Sequence, residues 1–186
     1  ILEKTALIFI RDDQESKFKI ALEKIKDLLS RYFIGLVFQI IILLIIYTSV
    51  LLIFGVSNAF IIAFLCALLN LIPYLGPIIG AFLISALTMT SFIDASFTEV
   101  ILPKTTYVLL GFAFGQVIDN FFSQPYIFSK SVKSHPLEIF IIIIATGTLF
   151  GTIGLIVAVP AYTSIKVMLQ TFFEENKIVK SLTKNL

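Results

Sequence analysis

The sequence NLIPYLGPIIGAF, residues 70–82, decides how the chain folds, because Pro73, Gly76, Pro77 and Gly80 interrupt a long apolar run without adding a charge. A proline removes a backbone donor and blocks the preceding helical turn, and it disfavours the helical conformation of the residue before it. The sequence therefore predicts that a helix breaks in this stretch.

Two interpretations of this break are open. The first is a tight turn that joins two spanning helices at the membrane surface. The second is a discontinuous helix beside a transport pathway, in which Pro73, Gly76, Pro77 and Gly80 contribute to gating. Irregular backbone survives at membrane depth only where protein or a water-filled cavity surrounds it, and many carriers use broken helices at their solute sites.

The composition places the chain among integral membrane proteins. Hydrophobic residues make up 58% of the 186 residues and charged residues only 14%, which leaves too little polar surface to coat a soluble globule. The lipid bilayer is therefore the expected partner. A net charge of +2, with lysines spread over ends and loops, argues against nucleic acid as a partner.

Apolar periodicity and the placement of charges divide the chain into four parts, which together form a single transmembrane domain. They are the end of a preceding span (residues 1–10), an amphipathic helix (11–33), membrane-embedded helices (34–173) and a cytoplasmic tail (174–186). The amphipathic helix can lie in the membrane interface or dock on the bundle. The predicted fold class is all-α: a polytopic membrane helix bundle with Pro/Gly-broken or re-entrant helical hairpins and one amphipathic interfacial helix.

Within the embedded part, spans are expected where about 20 apolar residues follow one another. The predicted segments are a span at 34–54, a turn at 55–58, short segments at 59–72 and 77–92, a loop at 93–104 and a helix at 105–124. Residues 136–162 are too long for one relaxed helix and carry Gly147, Gly151, Gly154 and Pro160. We expect two segments there that meet near residues 150–154, the second running to about residue 173.

The distribution of lysine and arginine predicts the orientation. If residues 11–31 are cytoplasmic and every segment crosses, Lys104 alone falls outside, and five lysines fall inside with the amphipathic helix: Lys130, Lys133, Lys177, Lys180 and Lys184. This agrees with the positive-inside rule.

Asp119 is the one acidic residue well inside an apolar segment, and Gln116, Asn120 and Gln124 accompany it at helical spacing. Carboxylates in spanning helices are costly and usually face a bundle interior or a wet cavity, where they serve ion or proton pathways. A carboxylate near the end of its helix can instead cap a neighbouring helix. His135, before Pro136, is either an interfacial structural residue or a proton carrier.

No catalytic motif is present: the sequence has no HExxH, no P-loop, no Cys/His cluster and no hydrolase serine motif around its one histidine. We expect neither an enzyme nor a cofactor or metal site.

Four blocks of sequence, in order and spacing, resemble the signature blocks of the autoinducer-2 exporter family of bacterial permeases. They are NLIPYLGPIIGAF (70–82), GQVIDNFFSQPYI (115–127), SHPLEIF (134–140) and GTLFGTIGLIVAVPAYTSIKVM (147–168). The resemblance covers essentially the whole chain, but family members are about twice as long, so the chain corresponds to a C-terminal half.

The resemblance implies a multi-pass protein of the bacterial inner membrane that forms homo-oligomers. Members of that family include exporters of the furanosyl signal and sodium or lithium/proton antiporters. The matching positions that recur in the family are Pro73, Gly76, Pro77, Gly80, Gln116, Asp119, Asn120, Pro125, His135, Pro136, Gly151, Gly154 and Pro160.

Two functions of different classes remain open. The first is a secondary transporter or exporter of a small polar solute or a monovalent cation, driven by a proton or sodium gradient. The second is a membrane component that does not transport actively, either a scaffold, in which the polar side chains tie helices together, or the subunit of a passive channel.

Overall fold

The computed structural model describes residues 15–124 and 135–173, and these residues form helices and turns without a strand. The prediction of an all-α membrane bundle is confirmed. The helices, in chain order, are α1 (Glu15–Ile53), α2 (Ala59–Leu69), α3 (Leu75–Ser91), α4 (Leu102–Ile118) and α5 (Pro136–Phe172), with π-helical turns at Phe97–Ile101 and Asp119–Ser123 flanking α4.

Among the residues that the structure describes, three stretches are long and apolar enough to cross a membrane, namely Glu15–Ile53, Phe97–Ser123 and Leu137–Phe172. Large apolar side chains such as Ile53, Phe121 and Leu149 are mostly exposed on their surfaces. A soluble protein seldom exposes so many large apolar groups, whereas a lipid-facing surface requires them. The chain is therefore a membrane protein.

Helix α1 joins two stretches of different composition, the amphipathic residues and the apolar span, without a break. Between them the sequence has a single glycine, Gly35, and no proline, and one glycine costs a helix only about 1 kcal/mol. At 1.5 Å per residue, the 39 residues rise about 58 Å, nearly twice the thickness of a bilayer core.

By its contacts the chain forms two compact units. The larger, with described residues 33–124, contains the second half of α1 together with α2, α3 and α4. Its core consists of side chains from all four helices and the turn after α1: Leu43, Tyr47, Leu51, Val56, Ala59, Ile62, Ala63, Cys66, Ala67, Ile84, Val108 and Phe112.

The predicted turn at residues 55–58 is confirmed. Gly55 adopts φ 70°, the N–H of Val56 donates to the carbonyl of Leu51 (2.9 Å), and the N–H of Gly55 donates to that of Leu52 (3.0 Å). This is a Schellman motif, which ends a helix at a left-handed residue.

The predicted break after residue 70 is also confirmed, and it produces a hairpin of α2 and α3. Helix α2 ends at Leu69 and α3 begins at Leu75, two residues earlier than predicted, because Pro77 lies in the first turn of α3, where proline is tolerated. Tyr74 has φ 66°. Gly76 and Gly80 lie inside α3 and are buried.

The predicted loop at residues 93–104 is wrong for its second half. A π-helical turn begins at Phe97 and leads directly into α4. Pro103 is the second residue of α4. The preceding turn has the wider π-helical hydrogen bonding, in which the N–H of Leu102 donates to the carbonyl of Phe97, so a proline, which has no N–H, does not exclude a helix here.

The smaller unit contains described residues 15–32 and 135–173, that is, the first half of α1 and α5. The apolar stripe of α1 is confirmed, because Ala21 and Leu28 are buried against Val167 of α5. The expected boundary near residues 150–154 is confirmed too: Gly151 has φ 62° and ψ −145°, and α5 bends there.

The bend at Gly151 reverses the chain, because residues before the bend approach residues after it. A Cβ on Gly147 would meet Leu155, and one on Gly154 would meet the carbonyl oxygen of Thr146. Helix α5 is thus a hairpin with a first arm (residues 136–150) and a second arm (residues 152–172). Pro160 lies inside the second arm.

At 1.5 Å per residue the first arm is about 22 Å long, α2 about 17 Å and α3 about 26 Å, all below the roughly 30 Å of a bilayer core. These lengths agree with re-entrant hairpins, which are one of the two alternatives that the sequence leaves open for these segments. The expected span end at 1–10, the tail at 174–186, Pro125 and the five lysines predicted to lie inside are outside the described residues.

Candidate functional site

Helix α4 and the π-helical turn after it carry several of the buried polar side chains of the larger unit. The buried face of α4 includes Thr105, Phe112 and Gln116, and the π-helical turn places Asp119 on the buried side, with the N–H of Gln124 donating to the carbonyl of Asp119. Such turns insert an extra residue into a helix and are frequent at functional sites.

Asp119 has no exposed surface. Its Oδ2 accepts hydrogen bonds from Nε2 of Gln39 on α1 (2.9 Å) and from Nε2 of Gln124 (3.1 Å). Its Oδ1 has no hydrogen-bond partner among the described residues, and no lysine, arginine or histidine in those residues forms an ion pair with it. Burying an ionised carboxylate away from water costs free energy, unless a bound proton or cation neutralises its charge.

Gln116 is the centre of a second polar group, one helical turn before Asp119. Its Nε2 donates to the hydroxyl of Tyr47 on α1 (2.7 Å) and to Oδ1 of Asn70 at the end of α2 (2.8 Å). Nδ2 of Asn70 in turn donates to the carbonyl of Cys66 (3.0 Å). Three helices are therefore joined through one carboxamide.

Two small-residue positions make room for this group. A Cβ on Gly115 would lie 2.6 Å from Cε1 of Tyr47, so only glycine lets the tyrosine ring approach α4 so closely. The ring of Tyr47 stacks on Phe112, with centroids 4.8 Å apart. Gly80 on α3 faces the edge of the Phe112 ring, and an added Cβ would lie 3.2 Å from Cζ.

The structure separates the four polar residues that the helical spacing groups together. Gln116 and Asp119 point inward, Asn120 is exposed, and Gln124 bridges them by donating to both Asp119 and Oδ1 of Asn120 (2.9 Å). A cleft of about 500 Å³ beside α4 is lined by Gln116 and Asn120 but not by Asp119.

His135 lies in the other unit. It is exposed, and its Nδ1 accepts a hydrogen bond from the N–H of Leu137 (3.3 Å) at the start of α5. This is the geometry of a helix N-cap, which matches the structural interpretation of this histidine.

The sequence pattern of α4 does not indicate its polar partners, Gln39 and Tyr47 on α1 and Asn70 on α2. Gln39 and Tyr47 stand eight residues apart on α1, so they share a helix face. This spacing is the sequence feature from which a polar face on α1 could have been predicted. Ser123 is a further buried residue, and its side chain lies beside the Asp119 carboxylate.

No three His, Cys, Asp or Glu side chains gather into a metal site in the part of the chain that the structure describes. The oxygens near Asp119 are those of one carboxylate, carboxamides and a hydroxyl. Such a set suits a proton or a hard monovalent ion better than a transition metal.

Comparison with known proteins identifies the family. The sequence profile described as "AI-2E family transporter" matches residues 2–174. The chain is 30% identical over 172 residues to the "Putative transport protein YrrI" of Bacillus subtilis (strain 168), covering 92% of this chain and 46% of that protein. It is also 30% identical over 145 residues to the "Putative transport protein YueF" of the same strain, covering 76% and 36%.

The chain thus spans less than half the length of these two relatives. No solved structure matches it. Because the family profile covers nearly the whole sequence, the chain belongs to the AI-2E family of transporters.

Proposed function

We propose that this chain is part of a secondary transporter of the bacterial inner membrane. It moves a small polar solute, such as an autoinducer-2-like signal, or a monovalent cation, and it is driven by a proton or sodium gradient. Membership of a transporter family supports the general role. Both relatives are named as transport proteins, which also agrees with the expectation that the chain is not an enzyme.

The observation that carries the proposal is the unpaired oxygen of Asp119. The side chain is wholly buried, one oxygen is held by two carboxamides, and the other has no partner among the described residues. In an apolar segment this arrangement is stable when a proton or a cation neutralises the charge. A carboxylate that is stable in a buried position only when a proton or a cation is bound can couple the binding of that ion to a conformational change.

The other predicted residues complete the proposed pathway. Gln124 joins Asp119 to Asn120, and Gln116 and Asn120 line the open cleft, so the polar path runs from the surface of α4 to the buried carboxylate. The two hairpin breaks, at residues 70–74 and at Gly151, are the proposed points at which segments move. A homo-oligomer, which rests on the family resemblance, and a proton-carrying His135, which rests on the chemistry of histidine, remain proposals.

Transport by the complete protein in liposomes tests this function. Asp119→Asn preserves the size of the side chain and removes its charge, so we expect normal membrane insertion but loss of gradient-driven flux, by at least about tenfold, as for a charge that acts in the rate-determining step. Asp94→Asn is the matched control, because Asp94 is an exposed carboxylate after α3, and it should transport normally.

The alternative is a scaffold, which the hydrogen bonds of Gln116 to Tyr47 and Asn70 favour, since such bonds also hold helices together in lipid. A scaffold predicts that Asp119→Asn folds poorly, while any activity per folded molecule is unchanged. A passive channel predicts flux that does not depend on a proton or sodium gradient. Either result would overturn the proposed transporter mechanism.

A further inference from the structure

Two buried threonines of the larger unit, Thr88 on α3 and Thr105 on α4, carry hydroxyl groups whose bonding the fold alone does not explain. The two residues are 0% and 3% exposed, and neither hydroxyl group has a hydrogen-bond partner among the described residues. An unpaired buried hydroxyl group costs free energy, so nearly every such group in a native protein is bonded to protein or to water. A partner for each of these two groups is therefore expected.

The helix backbone is the usual partner of such a group, because a serine or threonine can donate to a carbonyl one turn earlier in its own helix. Thr106, the neighbour of Thr105, does so with the carbonyl of Leu102 at 2.8 Å. Four other hydroxyl groups on α1 and α3 make the same kind of bond, those of Ser49, Ser85, Thr90 and Ser91. The side chains of Thr88 and Thr105 forgo this local bond, which leaves their hydroxyl groups available to another partner.

The two threonines lie at the same end of the larger unit. Nζ of Lys104 lies 3.9 Å from the centroid of the Phe92 ring. Thr105 directly follows Lys104, and Thr88 stands one helical turn before Phe92. Both threonines belong to the buried faces of their helices. A water molecule at this level can bond to both hydroxyl groups, and helix carbonyls, which accept a second bond, can complete the two to four partners that a buried water requires.

An apolar layer separates these threonines from Asp119. Ile84 and Val108, both 0% exposed, occupy the adjacent turn on each helix and belong to the core of the larger unit. Thr105 and Asp119 stand 14 residues apart, which is about 21 Å at 1.5 Å per residue and some two thirds of the thickness of a bilayer core. The two polar places therefore lie towards opposite ends of one membrane span.

We propose that Thr88 and Thr105 form a water-binding site, and that this site is the inner end of an aqueous path on the membrane side opposite to Asp119. The bound water joins α3 to α4 through the two hydroxyl groups. The role in a path rests on the proposed transport function: an ion or solute that leaves Asp119 crosses the apolar layer and meets water first at these threonines. The water site itself requires no transport.

A double-mutant cycle in the complete protein tests whether the two hydroxyl groups share a water. Valine has the shape of threonine without the hydroxyl group, and unfolding is followed by circular dichroism in mixed micelles as the fraction of denaturing detergent rises. Thr88→Val or Thr105→Val leaves the water with one threonine, so each should raise the unfolding equilibrium constant by about threefold or more. The double variant should fall short of the product of the two effects by about threefold or more, because either change already disrupts the shared site.

Thr106→Val is the matched control, since Thr106 is also on α4 but bonds to its own helix. Its effect and that of Thr88→Val should multiply to within about twofold in the combined variant. A dry, unpaired hydroxyl group predicts instead that Thr88→Val and Thr105→Val are as stable as the parent or more stable. That result overturns the water site, and so do Thr88→Val and Thr105→Val effects that multiply.

Thiol labelling in liposomes that contain the complete protein tests whether the site connects to water outside the membrane. Thr105→Cys and Val108→Cys place a thiol at two positions with nearly equal burial, 3% and 0% exposed. Aminoethyl methanethiosulfonate reacts with the thiolate, which apolar surroundings disfavour, so the thiol at position 105 should react about tenfold faster or more. The unsubstituted protein gives the background from the buried Cys66.

Equal labelling rates at the two positions overturn the aqueous path. Faster labelling at position 105, combined with normal gradient-driven flux in Asp119→Asn, would refute the proposed transporter mechanism and leave the hydrated site standing. If a cysteine on α4 prevents the protein from accumulating, Thr88→Cys and Ile84→Cys provide the same comparison on α3, where both residues are 0% exposed. The valine cycle decides the water site in either case.

Discussion

Gly76 provides the sharpest test of the α2–α3 hairpin. In the variant Gly76→Ala, the new methyl group would overlap with the carbonyl oxygen of Leu69. It would also lie 2.7 Å from the carbonyl carbon of Leu69 and 2.9 Å from Cα of Asn70. All three are backbone atoms at the end of α2, so none can rotate away. The methyl group therefore has to push the two helices apart at the tip of the hairpin.

The expected cost follows from comparison with Gly80, one turn further along α3. An added methyl group at Gly80 meets Cζ of Phe112 at 3.2 Å, and a ring edge can shift by the few tenths of an ångström required. Overpacking costs roughly 1–3 kcal/mol, and we assign the upper part of that range to Gly76→Ala. Both substitutions gain the same helix propensity of about 0.5–1 kcal/mol, so the difference between them should be about 2 kcal/mol.

Unfolding of the complete protein in mixed micelles, followed by circular dichroism as the fraction of denaturing detergent rises, measures this difference. Gly76→Ala should lose clearly more free energy of unfolding than Gly80→Ala. The close approach at the hairpin tip would be refuted if the two variants unfolded together, or if Gly80→Ala were the less stable one.

Two further predictions concern glycines that permit close contacts. Gly115→Ala should displace the Tyr47 ring, since the added methyl group would lie 2.6 Å from Cε1, and should cost about 1–3 kcal/mol in the same unfolding assay; an unchanged protein would contradict the contact. In the α5 hairpin, Gly154→Ala meets the backbone carbonyl of Thr146, whereas Gly147→Ala meets a flexible leucine side chain. The first should therefore lose at least about 1 kcal/mol more than the second, and the reverse order would refute the hairpin geometry.

The helix breaks could be predicted from sequence because their causes are local. Proline and glycine act on the backbone within one or two residues, so the break beginning at residue 70 and the bend at Gly151 follow from the sequence itself. Prediction from neighbouring residues failed where the same residue type is found in two different structures. Pro103 could end a loop or start a helix, and the structure has the helix.

The partners of the polar side chains could not be predicted in the same way. Gln39 reaches Asp119 from 80 positions away, a contact that depends on how α1 packs against α4. In a soluble protein the apolar stripe of each helix would indicate the packed face. In a membrane protein the lipid-facing side is apolar as well, so Phe38, which is exposed, and Leu43, which is buried, look alike in the sequence.

Gln116 and Asp119 both leave a buried oxygen without a partner among the described residues, yet charge gives the two oxygens different consequences. An unpaired carboxamide oxygen costs about 1–3 kcal/mol, which the two bonds from Nε2 of Gln116 and the surrounding packing can offset permanently. An ionised carboxylate in the same surroundings costs far more, and it cannot remain there without a proton or a cation. Gln116 can therefore stay in one state as a structural tie between α1, α2 and α4. For this reason the proposed ion coupling is assigned to Asp119, although Gln116 makes the greater number of bonds between helices.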